Sequence, residues 1–171
     1  MVHRVELLRH AKSSWDDPDL PDRDRPLAPR GIKAGARLRD HLRRVGCAPE
    51  LVLCSSAARA VQTWNGIRDG LAADPAVEIE DEVYGASADE LLRRLNVLPD
   101  SIGWAMGIGH NPGIEQLALR LVGDGEADAL RRMRSKYPTG GLASLAFDGV
   151  WRRLEWGGAR LEAFTVPRAL K

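Results

Sequence analysis

Val5-Glu6-Leu7-Leu8-Arg9-His10-Ala11-Lys12-Ser13-Ser14 is a short apolar run that ends abruptly in an arginine and a histidine. A run of this length bounded by polar residues reads as a buried strand, and open α/β sheets bind ligands just outside the carboxyl ends of their strands. Arg9 and His10 stand at such an end. For an isolated basic pair, plain solvation is the commoner outcome, because short motifs match by chance. The other strand ends therefore carry the decision.

Directly after this strand, residues 12–30 (KSSWDDPDLPDRDRPLAPR) are rich in Asp, Pro and Arg and show no apolar period. Structureless loops longer than about 12–15 residues are uncommon in compact domains and are usually functional or disordered. The position of this one, beside Arg9-His10, favours function. Ala34, Leu38, Leu42 and Val45 then recur at helical spacing and predict a helix over 32–45 that Gly46 ends. Leu51 to Cys54 reads as a second buried strand. Ser55-Ser56 supplies capping chemistry for a helix with Ala57, Ala60, Val61, Trp64, Ile67 and Leu71 on its inner face and Arg59 in its first turn.

A short edge strand around 77–79 leads into Asp81-Glu82, and Leu91, Leu92, Leu95 and Leu98 mark a helix closed by Pro99. Residues 102–108 (IGWAMGI) form a third buried strand. Gly109-His110-Asn111-Pro112-Gly113 carries the chain into a helix with Asn111 as expected cap and Pro112 at the first helical position. Residues 127–136 read as a short basic helix with a solvated face, and 142–147 and 160–166 as two strands separated by turn signals. Trp151 and Trp156 lie between these strands and are assigned to packing. Strands alternate with helices over most of the length, which argues for a largely parallel sheet covered on both faces.

The 171 residues fit one domain spanning 1–171. A hydrophobic fraction of 44% with 29% charged residues is that of a soluble globular protein. The formal net charge of +1 gives no overall attraction to nucleic acid or membrane, so electrostatic specificity must be local. The chain shows neither a secretory signal nor a membrane-length apolar stretch, and a cytoplasmic location is expected. Cys47 and Cys54 lack CxxC spacing and read as reduced thiols. The four histidines show no HxH or HExxH pattern, so no metal is expected.

Three buried strands thus end in Arg9-His10, in Ser55-Ser56 with Arg59 close behind, and in Gly109-His110-Asn111. In a parallel sheet these ends share one edge, which gathers two histidines and two arginines beside helix N-termini. Free N–H groups and partial positive charge at those termini suit an anion, and arginine recognises phosphate oxygens in bidentate fashion. Neither GxxxxGK[ST] nor GxGxxG is present, which weakens a nucleotide-fold reading. A neutral imidazole is a competent nucleophile at pH 7, so His10 is a candidate phosphoryl acceptor.

LLRHAKSSW, DRDRPLAPRG, SSAARAVQT, GHNPG and KYPTGGLASLAFD resemble the histidine phosphatase superfamily, and within it the SixA-type phosphohistidine phosphatase branch. The likeness runs through nearly the whole chain in order. It implies a three-layer α/β/α sandwich of the phosphoglycerate-mutase-like kind with a mostly parallel central sheet. It also implies a two-step, cofactor-free and metal-independent phosphatase with His10 as nucleophile, Arg9 and Arg59 as phosphate clamps and His110 as the fourth pocket residue.

The proton donor stays open: Asp81 or Glu82 stands where larger members of the superfamily place an acid, and both read equally well as exposed carboxylates. A P–N substrate, whose imidazole leaves with less need of a strong acid, suits a weakly defined donor. Ser13 is a candidate phosphate ligand; Arg25 and Arg30 are candidate rim residues, and Asp24 is expected to pair with Arg25. Thr139 and Gly140-Gly141 match the family without a chemical role. The expected substrate is a phosphorylated protein carrying phosphohistidine. The alternatives are a small phosphorylated metabolite, for which Asp81 or Glu82 should matter, and a non-catalytic phospho-ligand-binding module.

Overall fold

A computed structural model describing residues 1–171 forms one seven-stranded sheet in the order β3-β2-β4-β1-β6-β7-β5. The strands are β1 (Val2–Arg9), β2 (Leu51–Ser55), β3 (Ala76–Glu80), β4 (Trp104–Gly109), β5 (Val122–Gly125), β6 (Leu142–Asp148) and β7 (Ala159–Thr165). β1 to β4 run parallel, β6 alone is antiparallel, and β7 and β5 resume the first direction. The helices are α1 (Pro29–Val45), α2 (Ala58–Ile67), α3 (Ala88–Asn96), α4 (Gly113–Leu121) and α5 (Ala127–Ser135).

Alternation along β1 sends neighbouring side chains to opposite faces, as the strand period requires. Val5 and Leu7 join a core with Leu91 and Leu95 of α3 and Ile114, Leu117 and Leu121 of α4. Leu8 joins a second core with Leu38 and Leu42 of α1 and Ala60, Trp64 and Ile67 of α2. The result is the expected α/β/α sandwich. Leu42 is 1% exposed, so its truncation to Ala should cost about 2–5 kcal/mol in lost transfer energy and residual cavity.

Several local expectations need correction. α1 begins at Pro29, three residues before the predicted start, because proline suits the first helical turn and that turn lies against the chain leaving β1. A Cβ on Gly31 would stand 2.1 Å from the Lys12 carbonyl oxygen, so only glycine fits there. Gly46 ends α1 as expected, with φ at 66°. α2 is capped at Ala57 without a side-chain acceptor and stops at Ile67, short of Leu71; the Ser55 hydroxyl accepts the Ala57 N–H at 3.2 Å instead.

Asn111 does not cap α4: Pro112 occupies the cap position, and the Asn111 side-chain amide donates to the Tyr137 carbonyl at 3.1 Å. The third buried strand starts at Trp104, not Ile102, whose carbonyl receives the Trp151 indole N–H at 2.6 Å. β5 carries no sequence signal, since its four residues include two glycines and bury only Val122 fully. The 12–30 segment is not structureless. Ser13 and Leu27 form a β-bridge across its base, and Asp22–Asp24 makes a 3-10 turn at its tip. Arg25 pairs with Asp22 at 3.1 Å in place of the expected Asp24.

On the basic α5, Arg131 and Arg132 pair with Asp128 of the same helix, and Arg132 also donates to the Phe164 carbonyl. Trp151 is fully buried and Trp156 lies under Arg120 at 3.8 Å, both in packing roles. Cys47 and Cys54 are free and buried. No helix is long and apolar enough to cross a membrane.

Candidate active site

β2, β4 and β1 are parallel neighbours, so their carboxyl ends deliver Ser55, His110 and Arg9-His10 to one edge of the sheet. His10 is 7% exposed, and its backbone is held from two sides. Its N–H donates to the Gly109 carbonyl, while the Gly140 N–H reaches the carbonyls of both Arg9 and His10, each at 3.0 Å. The Arg9 N–H in turn donates to the Gly141 carbonyl at 3.0 Å. Gly140-Gly141, to which residue patterning assigns no role, thus clasps the strand end.

The His10 ring has a defined tautomer. Nδ1 lies 2.7 Å from the Ala11 carbonyl oxygen, which can only accept, so Nδ1 carries the proton and Nε2 the lone pair. Arg59 Nε–H donates to that lone pair at 3.3 Å. Burial pushes the His10 pKa down to about 3; the Ala11 hydrogen bond opposes this, and the charges of His110, Arg59 and Arg9 reinforce it. The ring is neutral at pH 7.

Arg59 is the second residue of α2 and is 6% exposed. One turn later the Thr63 hydroxyl donates to the Arg59 carbonyl at 2.7 Å and accepts the Ala11 N–H at 3.0 Å. The four-residue spacing of the RAxxT motif is therefore that of a helix turn locked to the chain just past His10. The Arg59 guanidinium spends its outer donors on Asp22: Nη1 on the carbonyl at 2.7 Å and Nη2 on the carboxylate at 3.0 Å.

The His110 ring stands 5.0 Å from that of His10, centroid to centroid, with its Nε2 2.7 Å from the Ser55 hydroxyl. Burial and then the charge of Arg59 push its pKa down to about 4, against an opposing effect of Asp22. Arg9 donates from Nη1 to the Tyr137 carbonyl at 3.0 Å, the oxygen that Asn111 also uses. Arg9 Nε, His110 Nδ1 and Asn111 Oδ1 are buried polar atoms without a partner. His3 Nδ1, packed against Phe147 and Trp151 away from the pocket, is a fourth, so the clustering of the other three near the histidine pair is consistent with a polar guest, water or anion, at that edge.

The rim comes from the 12–30 segment and the turn after β3. Asp22 collects Arg59, Arg25 and the Tyr84 hydroxyl, the last at 2.6 Å, and these bonds, Tyr84's foremost, hold its carboxyl well below the usual carboxylate range. The Tyr84 ring meets His110 edge-on at 5.5 Å. Arg25 is buried, donates to the Ser13 hydroxyl at 2.8 Å and lies 3.6 Å over the exposed Trp15 ring. Ser13 is thus brought beside Arg25. Arg23 binds both Ser56 and Asp81. The Ser56 hydroxyl first and Arg23 second keep the Asp81 carboxyl charged. Asp81, Glu82 and Arg30 are exposed.

The structure thus brings Arg9, His10, Arg59 and His110 together at one edge of the sheet, as the sequence reading expects, and adds to them Ser55's contact with His110, Thr63, Asp22 and Tyr84, which that reading lacks. Thr63 has a readable signal in the helix-turn spacing after Arg59. Asp22 has none, being one of five aspartates in the loop.

The family model described as histidine phosphatase superfamily (branch 1) matches residues 5–84. An uncharacterized protein of Mycobacterium leprae, ML1117, is 38% identical over 165 residues, covering 94% of this chain and all of that one. Among solved structures, a candidate phosphohistidine phosphatase SixA from Nakamurella multipartitia superposes with a TM-score of 0.83 at 30% identity, covering 98% of this chain and 97% of its own. A second candidate SixA, from Agrobacterium tumefaciens, gives 0.80 at 30% identity over 96% and 98% of the two chains. With His10 and His110 paired at the carboxyl edge of the sheet, the chain belongs to the SixA-type branch of the histidine phosphatase superfamily and is a phosphatase with a histidine nucleophile.

Proposed function

We propose that the chain removes phosphoryl groups from phosphohistidine in proteins, without a metal ion, through a covalent intermediate on His10. The observation that carries this reading is the His10 tautomer. Its Nδ1–H is committed to the Ala11 carbonyl, so the bare Nε2 lone pair is the reactive atom, in a ring too buried to be protonated at neutral pH.

In the first step the Nε2 lone pair forms a bond to phosphorus while the bond from phosphorus to the substrate's imidazole nitrogen breaks. The departing imidazole keeps the bonding pair and takes a proton from solvent. Arg59 releases Asp22 and His10 to hold the phosphoryl oxygens together with Arg9, spreading positive charge over the equatorial oxygens as phosphoryl transfer requires. His110, its ring 5.0 Å from that of His10, completes the pocket. In the second step water attacks phosphorus, the His10–phosphorus bond breaks, and inorganic phosphate leaves with the neutral imidazole restored. The Ser13 hydroxyl accepts from Arg25, which leaves the hydroxyl's own proton for a phosphoryl oxygen, as the proposed ligand role requires.

Asp81, held charged by Ser56 and Arg23, is a poor proton donor. That fits an imidazole leaving group better than an alkoxide. The SixA names of the structural neighbours support the same substrate class.

The test is hydrolysis of a phosphohistidine-bearing protein and of an alkyl phosphomonoester, with chelator present, by wild type, His10→Ala, Asp81→Asn and Glu82→Gln. His10→Ala should lose at least ~10³-fold in turnover, as expected when a nucleophile is removed. Chelator should leave wild type unchanged, and the two amide variants should retain P–N cleavage. Activity that survives in His10→Ala, or that chelator abolishes, overturns the mechanism. A P–O rate exceeding the P–N rate and falling in Asp81→Asn or Glu82→Gln replaces the substrate by a small phosphomonoester. Phosphate binding without phosphorylation of His10 makes the chain a binding module.

A further inference from the structure

The two histidines of the pocket face different partners, and the difference assigns a task to a residue outside the catalytic set. Ser55 is the last residue of β2, which pairs with β4 through Cys54 and Ile108, so it ends beside the strand that carries His110. It is completely buried. Its hydroxyl oxygen accepts the Ala57 N–H at 3.2 Å, and its only other bond is the 2.7 Å contact with His110 Nε2.

A serine hydroxyl has one proton to give. If Nε2 were protonated and donated to Ser55, the hydroxyl proton would be buried without an acceptor. The hydroxyl therefore donates, and Nε2 accepts. A neutral His110 ring then carries its proton on Nδ1, and His110 Nδ1 is one of the buried atoms that the protein leaves without a partner.

We propose that Ser55 is a positioning residue that locks His110 in the Nδ1–H tautomer, so that the pocket sets a lone pair on His10 against an N–H donor on His110. This rests on the reading of the site as a phosphoryl pocket. His10 has its Nδ1–H withdrawn by the Ala11 carbonyl and keeps Nε2 bare for attack on phosphorus. His110 has its lone pair withdrawn by Ser55 and keeps an N–H for a phosphoryl oxygen. A lone pair at that place would meet oxygen with like polarity, whereas an N–H matches the charge that develops there during transfer. Ser55 touches neither phosphorus nor leaving group; it acts through the ring it orients, as an outer partner of a histidine commonly does.

The experiment uses the full chain labelled with 15N-histidine and records long-range 1H–15N correlations at pH 7, with His10 and His110 assigned from single variants. In wild type, His110 Nδ1 should show the protonated type of shift and Nε2 the unprotonated type, and added inorganic phosphate should move the Nδ1 signal. Ser55→Ala should mix or reverse the two types, and Ser55→Thr, which keeps the hydroxyl, should restore them. In turnover, Ser55→Ala should lose about ten- to a hundredfold, below the loss for deleting an electrostatic donor outright, with most of it in kcat, and Ser55→Thr should recover most of that. A protonated Nε2 in wild type overturns the proposal even if Ser55→Ala fails to fold, and so does an unchanged tautomer with unchanged kcat in Ser55→Ala. Absence of turnover in wild type alongside the expected tautomer would instead remove the phosphatase reading and leave the tautomer assignment standing.

Discussion

Arg59 and Arg25 are both nearly buried and both bond the carboxylate of Asp22, yet they are placed by different means. Arg59 sits one residue into a helix that starts straight after a buried strand, with Thr63 locking that turn to the chain past His10. Arg25 sits in a long loop and is held by Asp22, Ser13 and the face of Trp15. The floor of the pocket is fixed by backbone geometry, whereas the rim is fixed by a web of polar contacts that must be rearranged when an anion enters. A floor built on strand ends supplies preorganised charge, which is worth most in a transition state; a rim built on a loop supplies selectivity and order.

The largest effect should therefore separate these two arginines. Arg59→Ala is expected to lower kcat/KM by about 10³-fold, in the range found when an arginine that stabilises phosphoryl transfer is removed. Arg25→Ala should cost roughly tenfold, the scale of one lost charge-assisted hydrogen bond, and fall mainly on KM, with added proteolytic sensitivity in residues 12–30. Steady-state kinetics on both variants checks this, and equal losses would erase the division between floor and rim.

The next effect is in pH. Of the floor histidines His10 is buried and His110 half-buried, and desolvation pushes their pKa values down to about 3 and about 4, so both rings are neutral at pH 7. A solvent-exposed imidazole with pKa near 6.5 would be only about 3% neutral at pH 5, a roughly thirtyfold loss of nucleophile. Phosphoenzyme formation should instead hold its rate from pH 7 down to about 5, as read by quenched-flow trapping on an acid-stable aryl phosphate. Stability follows with a fixed sign. Both folded-state pKa values lie below the unfolded one, so the unfolded chain binds more protons below about pH 6.5, and the stabilisation present above that pH is lost as pH falls toward 4 and 3. His10→Gln should flatten this acid loss in thermal melts taken between about pH 7 and 4. An acid limb in the rate near 6.5 would mean an exposed floor.

Legibility in the sequence follows the same division. Arg9, His10, Arg59 and His110 each follow a buried apolar run directly or within a helix turn, so hydrophobic patterning alone locates them. The parallel order β2-β4-β1 then has to bring them together, because three such ends share an edge. Asp22 and Tyr84 are separated by 62 residues and meet through a 2.6 Å bond that no local period encodes. Simple adjacency assigns Arg25 to Asp24, whereas the 3-10 turn over Asp22–Asp24 brings Asp22 round to it. Asn111 has the type and spacing of a helix cap, but the Tyr137 carbonyl, brought alongside by tertiary folding, claims its amide.

The smallest expected effect tests how the rim opens. Asp22 holds a negative charge against Arg59 at 3.0 Å, on a donor that the phosphoryl group is proposed to use. With its side chain 52% exposed, that charge is partly screened, so its repulsion of an incoming anion is modest. Asp22→Asn keeps an acceptor for the Tyr84 hydroxyl and for one arginine while removing the charge. Inorganic phosphate should then inhibit about two- to fivefold more tightly, the scale of a half-exposed ion pair, and the salt dependence of inhibition should weaken. If Asp22 served chiefly to aim Arg59, the same substitution would loosen the guanidinium and raise the inhibition constant. The sign of that change shows whether the rim carboxylate competes with the phosphoryl group for the floor or holds the floor in readiness for it.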